Sequence, residues 1–392
     1  MYKSCGSEKV FKILEKGDSM SHVNKEMASF FLTTKCNLRC VYCYNCEERQ
    51  DKDEQTLSFR IAKAGVDYYF DNFSSRHIRF YGPGEPTQEF ELMKKIVDYA
   101  KSRSKEKIKV ELQTNGAFSE YVCKYVYDNI NIVWVSMDGT PDIQNNNRPF
   151  ASGVGSASVV ERNIKYLSAR ENDENNVVGI RVTITNETLN RQKEMIDYFS
   201  SLGVKYIWND PVFPEVGECP YCEDILREKT FSFDYELYVR TYIEAYKYAR
   251  EKGIFYGSFL TINFDGKSIY HCRACIPVPH FTTDGFVSAC DLVTFGEAPK
   301  HMDCFVYGKW NEEKEEFEFD QNKIHLLKNR NTNNMNACKI CEVSNYCGGY
   351  CLGEVANETG SYMKNKAGVC KAIKQLFKEL GPTKLPYPYF HP

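Results

Sequence analysis

The sequence predicts an α/β fold: a partial TIM-like (β/α)6 barrel followed by a smaller cysteine-rich module. Six strand-like apolar runs alternate with amphipathic helical stretches between Met27 and Trp208, polar or glycine-rich clusters follow the first four runs, and cysteines crowd the region from Cys272 to Cys370. Strands that alternate with helices pair in parallel, and a parallel sheet with its helices outside closes or part-closes into a barrel. At 392 residues and 42% hydrophobic, the chain can bury a large core with a second domain beside it.

The expected organisation is an N-terminal extension over 1–26, helix-like from Glu8 to Glu15, a barrel over 27–235, a bridging helical segment over 236–271 and the cysteine-rich module over 272–392. Runs of strong β formers appear at Met27 to Thr33, His77 to Tyr81, Ile108 to Gln113, Ile132 to Met137, Val177 to Ile184 and Val204 to Trp208. Between them, Ser58 to Phe70, Phe90 to Lys101, Glu120 to Asn129, Ser158 to Ala169 and Arg191 to Leu202 carry apolar residues at helical spacing.

A parallel barrel places its chemistry in the loops after the C-terminal ends of its strands. After the first run comes Cys36-Asn37-Leu38-Arg39-Cys40-Val41-Tyr42-Cys43; after the second, Tyr81-Gly82-Pro83-Gly84-Glu85-Pro86-Thr87; after the third, Gln113-Thr114-Asn115-Gly116; after the fourth, Ser136-Met137-Asp138-Gly139. One such cluster reads as an ordinary turn, whereas four at equivalent strand ends converge on one mouth. Three thiolates are one too few for a four-iron cluster and leave one iron open, which separates a catalytic metal site from a closed one. Cys46 extends the triplet and offers the rival reading, a closed electron-carrying cluster. Gly82 and Gly84 allow close backbone approach to a ligand, and Glu85 beside the stiff Pro86 offers a carboxylate suited to an ammonium group.

The formal net charge is -3, with lysines and glutamates interspersed, so no nucleic-acid footprint is present. The acidic run Glu312 to Glu318 reads as a solvated loop or edge strand. No stretch of about 18 apolar residues suits a membrane span, and no basic-then-apolar signal opens the chain, so no membrane association and a cytoplasmic location are expected. Seventeen cysteines in such a chain imply metal or catalysis rather than disulfides. Cys5 and Cys123 stand apart as ordinary thiols. Cys219-Pro220-Tyr221-Cys222 and Cys304 are left without a role.

The CxxxCxxC triplet in its CNLRCVYC context resembles the radical S-adenosylmethionine (radical SAM) family, in which the open iron chelates the amino and carboxylate groups of the methionine moiety. The Gly82-Pro83-Gly84-Glu85-Pro86 stretch is similar to that family's GGEP motif, with Pro83 as a departure. The resemblance implies a cosubstrate pocket formed by Tyr42, Gly84, Glu85, Asn115 toward a ribose hydroxyl, Ser136 with Asp138 behind it toward the methionine carboxylate, and Arg148. The last is the residue kept from a His-Asp-x-x-Arg stretch in which Gln144 and Asn145 replace the usual pair; its guanidinium suits bidentate carboxylate binding.

The later cysteines, Cys275-x9-Gly285-x4-Cys290 and Cys338-x2-Cys341-x5-Cys347-x3-Cys351 with Cys370 beyond, resemble the seven-cysteine SPASM domain of radical SAM enzymes that mature peptides and sulfatases. The Tyr346-Cys347-Gly348-Gly349-Tyr350-Cys351 core and a loop from Gly353 to Gly360 fit the same pattern. Two auxiliary [4Fe-4S] clusters are thereby implied, one on Cys272, Cys275, Cys290 and Cys351 and a farther one on Cys338, Cys341, Cys347 and Cys370; Cys272 lies outside the seven-cysteine core. CxxC doublets also suit zinc knuckles, the competing reading. Asp291, directly after Cys290, matches a Cys-Asp pair whose aspartate is the base in related sulfatase-maturing enzymes.

The resemblance implies reductive cleavage of S-adenosylmethionine to a 5'-deoxyadenosyl radical, hydrogen abstraction from a substrate, and transfer of the second electron to the auxiliary clusters. The expected function is oxidative modification, by crosslink or dehydrogenation, of a ribosomally made peptide. The first alternative is an anaerobic sulfatase-maturating, formylglycine-forming enzyme, and the second a non-enzymatic electron-transfer or zinc-binding protein. Expected partners are a peptide or protein substrate, a flavodoxin- or ferredoxin-type electron donor and, since only about 26 residues precede the first strand, a separate leader-peptide recognition protein.

Overall fold

The computed structural model describes residues 26–45, 54–172, 176–213 and 233–382. The expected helix from Glu8 to Glu15 and Cys5, Cys46, Cys219 and Cys222 lie outside the described residues. Among the described residues eleven strands form one sheet, in the order β11 (Glu316–Phe319), β10 (Val306–Asn311), β9 (Phe286–Ser288), β8 (His280–Phe281), then the first seven strands in chain order. Its parallel part is β1 (Ala28–Phe31), β2 (His77–Tyr81), β3 (Lys109–Thr114), β4 (Ile132–Ser136), β5 (Val177–Ile184), β6 (Tyr206–Pro211) and β7 (Phe255–Gly257), each paired with the next. With β7 at one edge and β11 at the other, the sheet does not close: this is a partial barrel.

The helices Phe59–Asn72, Phe90–Arg103, Glu120–Asn129, Ala157–Ser168 and Gln192–Ser201 cover the sheet where the periodicity places them. Local chemistry starts several of them. Ser58 Oγ accepts from Ile61 N at 3.2 Å, Ser119 Oγ from Val122 N at 3.4 Å, and Asp234 Oδ1 from Leu237 N at 2.9 Å at the head of helix Tyr235–Glu251. Their apolar faces, such as Leu92, Met93, Ile96 and Val97, are buried against the sheet. One strand outruns its expected end. β6 continues through Asn209, Asp210 and Pro211 because the polar side chains find partners: Asn209 Nδ2 donates to Gln192 Oε1 at 3.1 Å, and Asp210 Oδ2 accepts from Trp208 Nε1 at 2.7 Å.

The cysteine-rich region joins the same sheet. β8 (His280–Phe281) pairs in parallel with β1, Ser29 opposite His280 and Phe30 opposite Phe281, and the Phe30 and Phe281 rings stack at 5.1 Å. β9 (Phe286–Ser288), β10 (Val306–Asn311) and β11 (Glu316–Phe319) follow as an antiparallel meander. The acidic run therefore includes an edge strand. Arg60 pairs with Glu315 at 3.1 Å and with Glu312, and such charge discourages edge-to-edge pairing. The stretch from Gly353 to Gly360, expected as a loop, is instead helix Leu352–Thr359, because Leu352, Val355 and Ala356 bury one face and Gly360, at φ +72°, supplies the left-handed stop. Among the described residues no helix is long and apolar enough to cross a membrane.

Candidate active site

The loop after β1 carries the cysteine triplet and is tied down at both ends. Arg39 N donates to Pro149 O at 2.8 Å and Val41 N to Asn147 O at 3.0 Å; at the other end Gly84 N donates to Thr33 O at 3.0 Å and Glu85 N to Lys35 O at 2.7 Å. A Cβ on Gly84 would stand 2.3 Å from Lys35 O and 2.5 Å from Thr33 O. Close approach at Gly84 is thus made by the neighbouring loop's backbone, where the sequence suggested a ligand. Cys36, Cys40 and Cys43 all face one cavity at the barrel mouth.

Glu85 is 2% exposed. Its Oε1 accepts from Thr87 N at 3.1 Å, Thr87 Oγ1 at 2.7 Å and Thr114 Oγ1 at 2.7 Å, while Oε2 accepts from Asn115 N at 2.7 Å. Burial pushes its pKa up against these donors. The carboxylate joins the second and third loops, leaving Oε2, with its single donor, for the expected ammonium contact. Asn115 Nδ2 donates to Asn37 Oδ1 at 2.8 Å and stands 3.8 Å from Cys36 Sγ, so its amide also braces the triplet loop.

Asp138, fully buried, gathers the opposite side. It accepts from Tyr42 Oη, from Arg148 Nε at 3.1 Å, from Asn147 Nδ2 at 3.2 Å and from Thr183 N at 3.1 Å. Arg148 then lies over the Tyr42 ring, with Nη1 3.9 Å from Cys40 Sγ. Burial disfavours the Arg148 charge, but Asp138, Tyr42 and Cys40 more than compensate and hold its pKa well above the ordinary value. Ser136, ending β4, lines the same cavity.

The far wall of the cavity comes from β2, β5, β6 and the cysteine-rich region. Arg79, on β2, grips Asp291 with both arms, Nη1 to Oδ2 at 3.1 Å and Nη2 to Oδ1 at 2.5 Å, and gives Nε to Ser29 Oγ at 2.8 Å. Burial alone would raise the Asp291 carboxyl; Arg79, then His280, hold it below the usual range. His280 Nδ1 stands 3.3 Å from Asp291 Oδ1, and burial lowers this imidazole to about 3, leaving it neutral at pH 7. Arg181, on β5, reaches Gln113 Oε1 at 2.8 Å and Asp210 Oδ2 at 3.2 Å; burial lifts Asp210 to about 6 despite that partner. Tyr44 and Tyr81 hydrogen-bond through their hydroxyls beside this pair and line the same cavity.

The remaining cysteines fall into two groups. Cys272 is raised first by its hydrogen bond to Cys275 and then by burial, whereas Cys275 is lowered, burial notwithstanding, by that bond and by Arg330. Burial and then Cys351 raise Cys290, and burial and then Cys272 raise Cys351, so these four thiols feel one another. Cys272, Cys290 and Cys351 line the cavity that the first triplet faces. In the second group burial raises Cys370, followed by Cys338 and Cys341, and burial lifts Cys347 to about 12 with Cys370 and Cys338 adding to it. Cys304 lies near Asp303 and Lys323 instead. Among the described residues no three His, Cys, Asp or Glu side chains converge as ligands of a single metal ion.

The sequence profile of the Radical SAM superfamily matches residues 30–204. The chain carries a radical SAM enzyme domain. Beyond it, the chain is 30% identical over 203 residues to the uncharacterized protein MJ0907 of Methanocaldococcus jannaschii, covering 51% of this chain and 66% of that one. It is 25% identical over 377 residues to the radical SAM cyclopropyl synthase TigE of Paramaledivibacter caminithermalis, covering 89% of this chain and 72% of TigE. It is 27% identical over 198 residues to a cysteine-type anaerobic sulfatase-maturating enzyme of Clostridium perfringens, covering 47% of this chain and 52% of that enzyme. The structure of native anSMEcpe with bound AdoMet and Cp18Cys peptide shares the fold, with TM-score 0.69 at 20% identity over 91% of this chain and 97% of that one.

The radical SAM domain displaces the non-enzymatic alternative considered from sequence. Its cysteine loop also fits the group such domains bind. Three thiols share a cavity wall, two nitrogen donors, Arg148 Nη1 and Asn115 Nδ2, stand within hydrogen-bonding range of sulfur, and burial lifts Cys40 to about 12, a cost that a bound cationic metal group removes. Sequence reasoning missed Arg79, Arg181, Asp210, His280, Tyr44 and Tyr81. Their one signal is position: Arg79 and Arg181 are charged residues inside otherwise apolar strand runs, which makes sense only if the barrel interior is polar.

Proposed function

We propose that this chain is a radical SAM/SPASM oxidoreductase that oxidatively modifies a ribosomally made peptide by crosslinking or dehydrogenation. One observation carries the reading: a single cavity is lined both by Cys36, Cys40 and Cys43 and by Cys272, Cys290, Cys351 and Asp291. A substrate in that cavity lies between the place where a radical starts and the place where an electron is collected. The resident groups proposed are S-adenosylmethionine and three [4Fe-4S] clusters, one on the triplet, one on Cys272, Cys275, Cys290 and Cys351, and one on Cys338, Cys341, Cys347 and Cys370. When bound, they supply reductive cleavage of the cosubstrate to a 5'-deoxyadenosyl radical and an acceptor for the substrate's second electron.

The chain's own residues do the rest. Glu85 Oε2 meets the cosubstrate ammonium, Ser136 its carboxylate, and Asn115 its ribose. Tyr42 and Arg148, clamped by Asp138, fix the cavity side of Cys40. Arg79 holds Asp291 at the cavity, where its carboxylate takes the proton that the substrate loses on oxidation. The proposed domains are the extension 1–26, the barrel 27–235, the bridge 236–271 and the SPASM module 272–392, and the proposed partners are the peptide, a flavodoxin- or ferredoxin-type donor and a separate leader-recognition protein.

A sulfatase-maturating activity is the second reading, favoured by the Clostridium relative and the Cys290-Asp291 pair. Anaerobic incubation with S-adenosylmethionine and dithionite tests the enzyme, with 5'-deoxyadenosine expected from wild type and none from the triple variant Cys36→Ala/Cys40→Ala/Cys43→Ala. Two peptide probes then divide the readings: one encoded by a short reading frame beside the gene, and one bearing a sulfatase-type cysteine. Loss of two hydrogens from the first supports the proposal, and turnover of the second alone moves the assignment to sulfatase maturation.

A further inference from the structure

Arg330 is 0% exposed, and its donors all meet main-chain carbonyls: Nε to Tyr362 O at 3.2 Å, Nη1 to Gly348 O at 3.1 Å and Nη2 to Gly349 O at 2.5 Å. Carbonyls satisfy its hydrogen bonds but not its charge. Arg79, Arg148 and Arg181 each pair with an aspartate, whereas among the described residues no carboxylate pairs with Arg330. A buried guanidinium without a counter-ion is strongly unfavourable, so the fold must bring an anion to it.

The chain is shaped around this side chain. Gly348 and Gly349 take φ +64° and +88°, a Cβ on Gly349 would stand 2.3 Å from Arg330 Nη1, and one on Gly348 would stand 2.2 Å from the Tyr270 carbonyl. These two glycines connect Cys347 of the second cysteine group to Cys351 of the first. Arg330 therefore sits under the joint between the two groups. Its contacts at Gly348 and Gly349 set the guanidinium against the three-residue link that runs from Cys347 to Cys351.

We infer that Arg330 is the shared counter-ion of the two auxiliary clusters and sets the potentials at which they accept the substrate's electron. The inference rests on the two-cluster reading proposed above. A four-iron cluster on four thiolates is an anion, and reduction adds one more negative charge to it. A fixed cation beside it stabilises the reduced form more than the oxidised one and so raises the potential. Arg330 is a positioning residue in this sense: it acts through the clusters and touches no substrate.

The test is a redox titration followed by electron paramagnetic resonance, with iron counted in parallel, on the full chain. The background is Cys36→Ala/Cys40→Ala/Cys43→Ala, so that only auxiliary signals are read; Arg330→Gln and Arg330→Lys are compared with this parent. The expected result is full auxiliary iron in both, a downward shift of potential in Arg330→Gln, and near-parent potentials in Arg330→Lys. Unchanged potentials in an iron-replete Arg330→Gln overturn the inference. Should Arg330→Gln lose iron, retention by Arg330→Lys upholds a role for charge, and loss by both overturns it. A parent without auxiliary iron sinks the two-cluster reading and Arg330's role with it, an outcome the iron count alone distinguishes.

Discussion

At the scale of single residues, the site works by carboxylates that hold loops and arginines together. Glu85 accepts from Thr87, Thr114 and Asn115, so Glu85→Ala strands several buried donors at once. Each unsatisfied donor costs roughly 1–3 kcal/mol. The variant is expected to bind S-adenosylmethionine at least about tenfold more weakly, a loss of about 1.4 kcal/mol, as read by equilibrium dialysis; wild-type affinity would return the loop to an independent turn. Asp291→Asn should spare 5'-deoxyadenosine formation and suppress peptide product, since the amide cannot take the substrate's proton; unchanged product yield would leave Asp291 as no more than a partner for Arg79. The cysteines and strand-end loops were legible because spacing alone marks them. Arg79 and Arg330 were not, because a charged residue acquires meaning from its partners, and Asp291 lies 212 residues from Arg79.

At the scale of elements, the informative junctions are those the periodicity did not reveal. The barrel strands β1 to β6 and their helices announce themselves by alternation and amphipathic spacing, whereas β8 and β9, of two and three residues, are too short to carry a period. Yet β8 delivers His280 and, just past β9, Asp291 to the barrel. His280 gives a pH test. Burial depresses its pKa from 6.5 to about 3, so between those values the unfolded chain binds the proton and the folded chain does not. Its contribution is complete above pH 6.5 and is lost as pH falls toward 3. Between pH 7 and pH 5 the wild type should lose about 2 kcal/mol of stability that His280→Gln keeps, measured by denaturant unfolding; equal losses would contradict neutral burial of the imidazole. Gly84→Ala forces a Cβ into the Thr33 and Lys35 carbonyls and is expected to lower the iron bound by the first triplet, while the Cys338 to Cys370 group keeps its own.

At the scale of the whole molecule, one continuous sheet brings the Cys36–Cys43 loop and a cysteine-rich module to the same cavity. The sequence reading kept the two as successive domains. The β1–β8 pairing draws residues 251 positions apart into adjacent strands, a long-range contact that no local pattern encodes. What passes between them depends on the proposed clusters, and the iron content is their direct measure. Anaerobically reconstituted wild-type protein should hold about 12 iron atoms per chain and the Cys36→Ala/Cys40→Ala/Cys43→Ala variant about 8. Wild type with about 4 iron atoms, or with stoichiometric zinc in place of the rest, would contradict the three-cluster account.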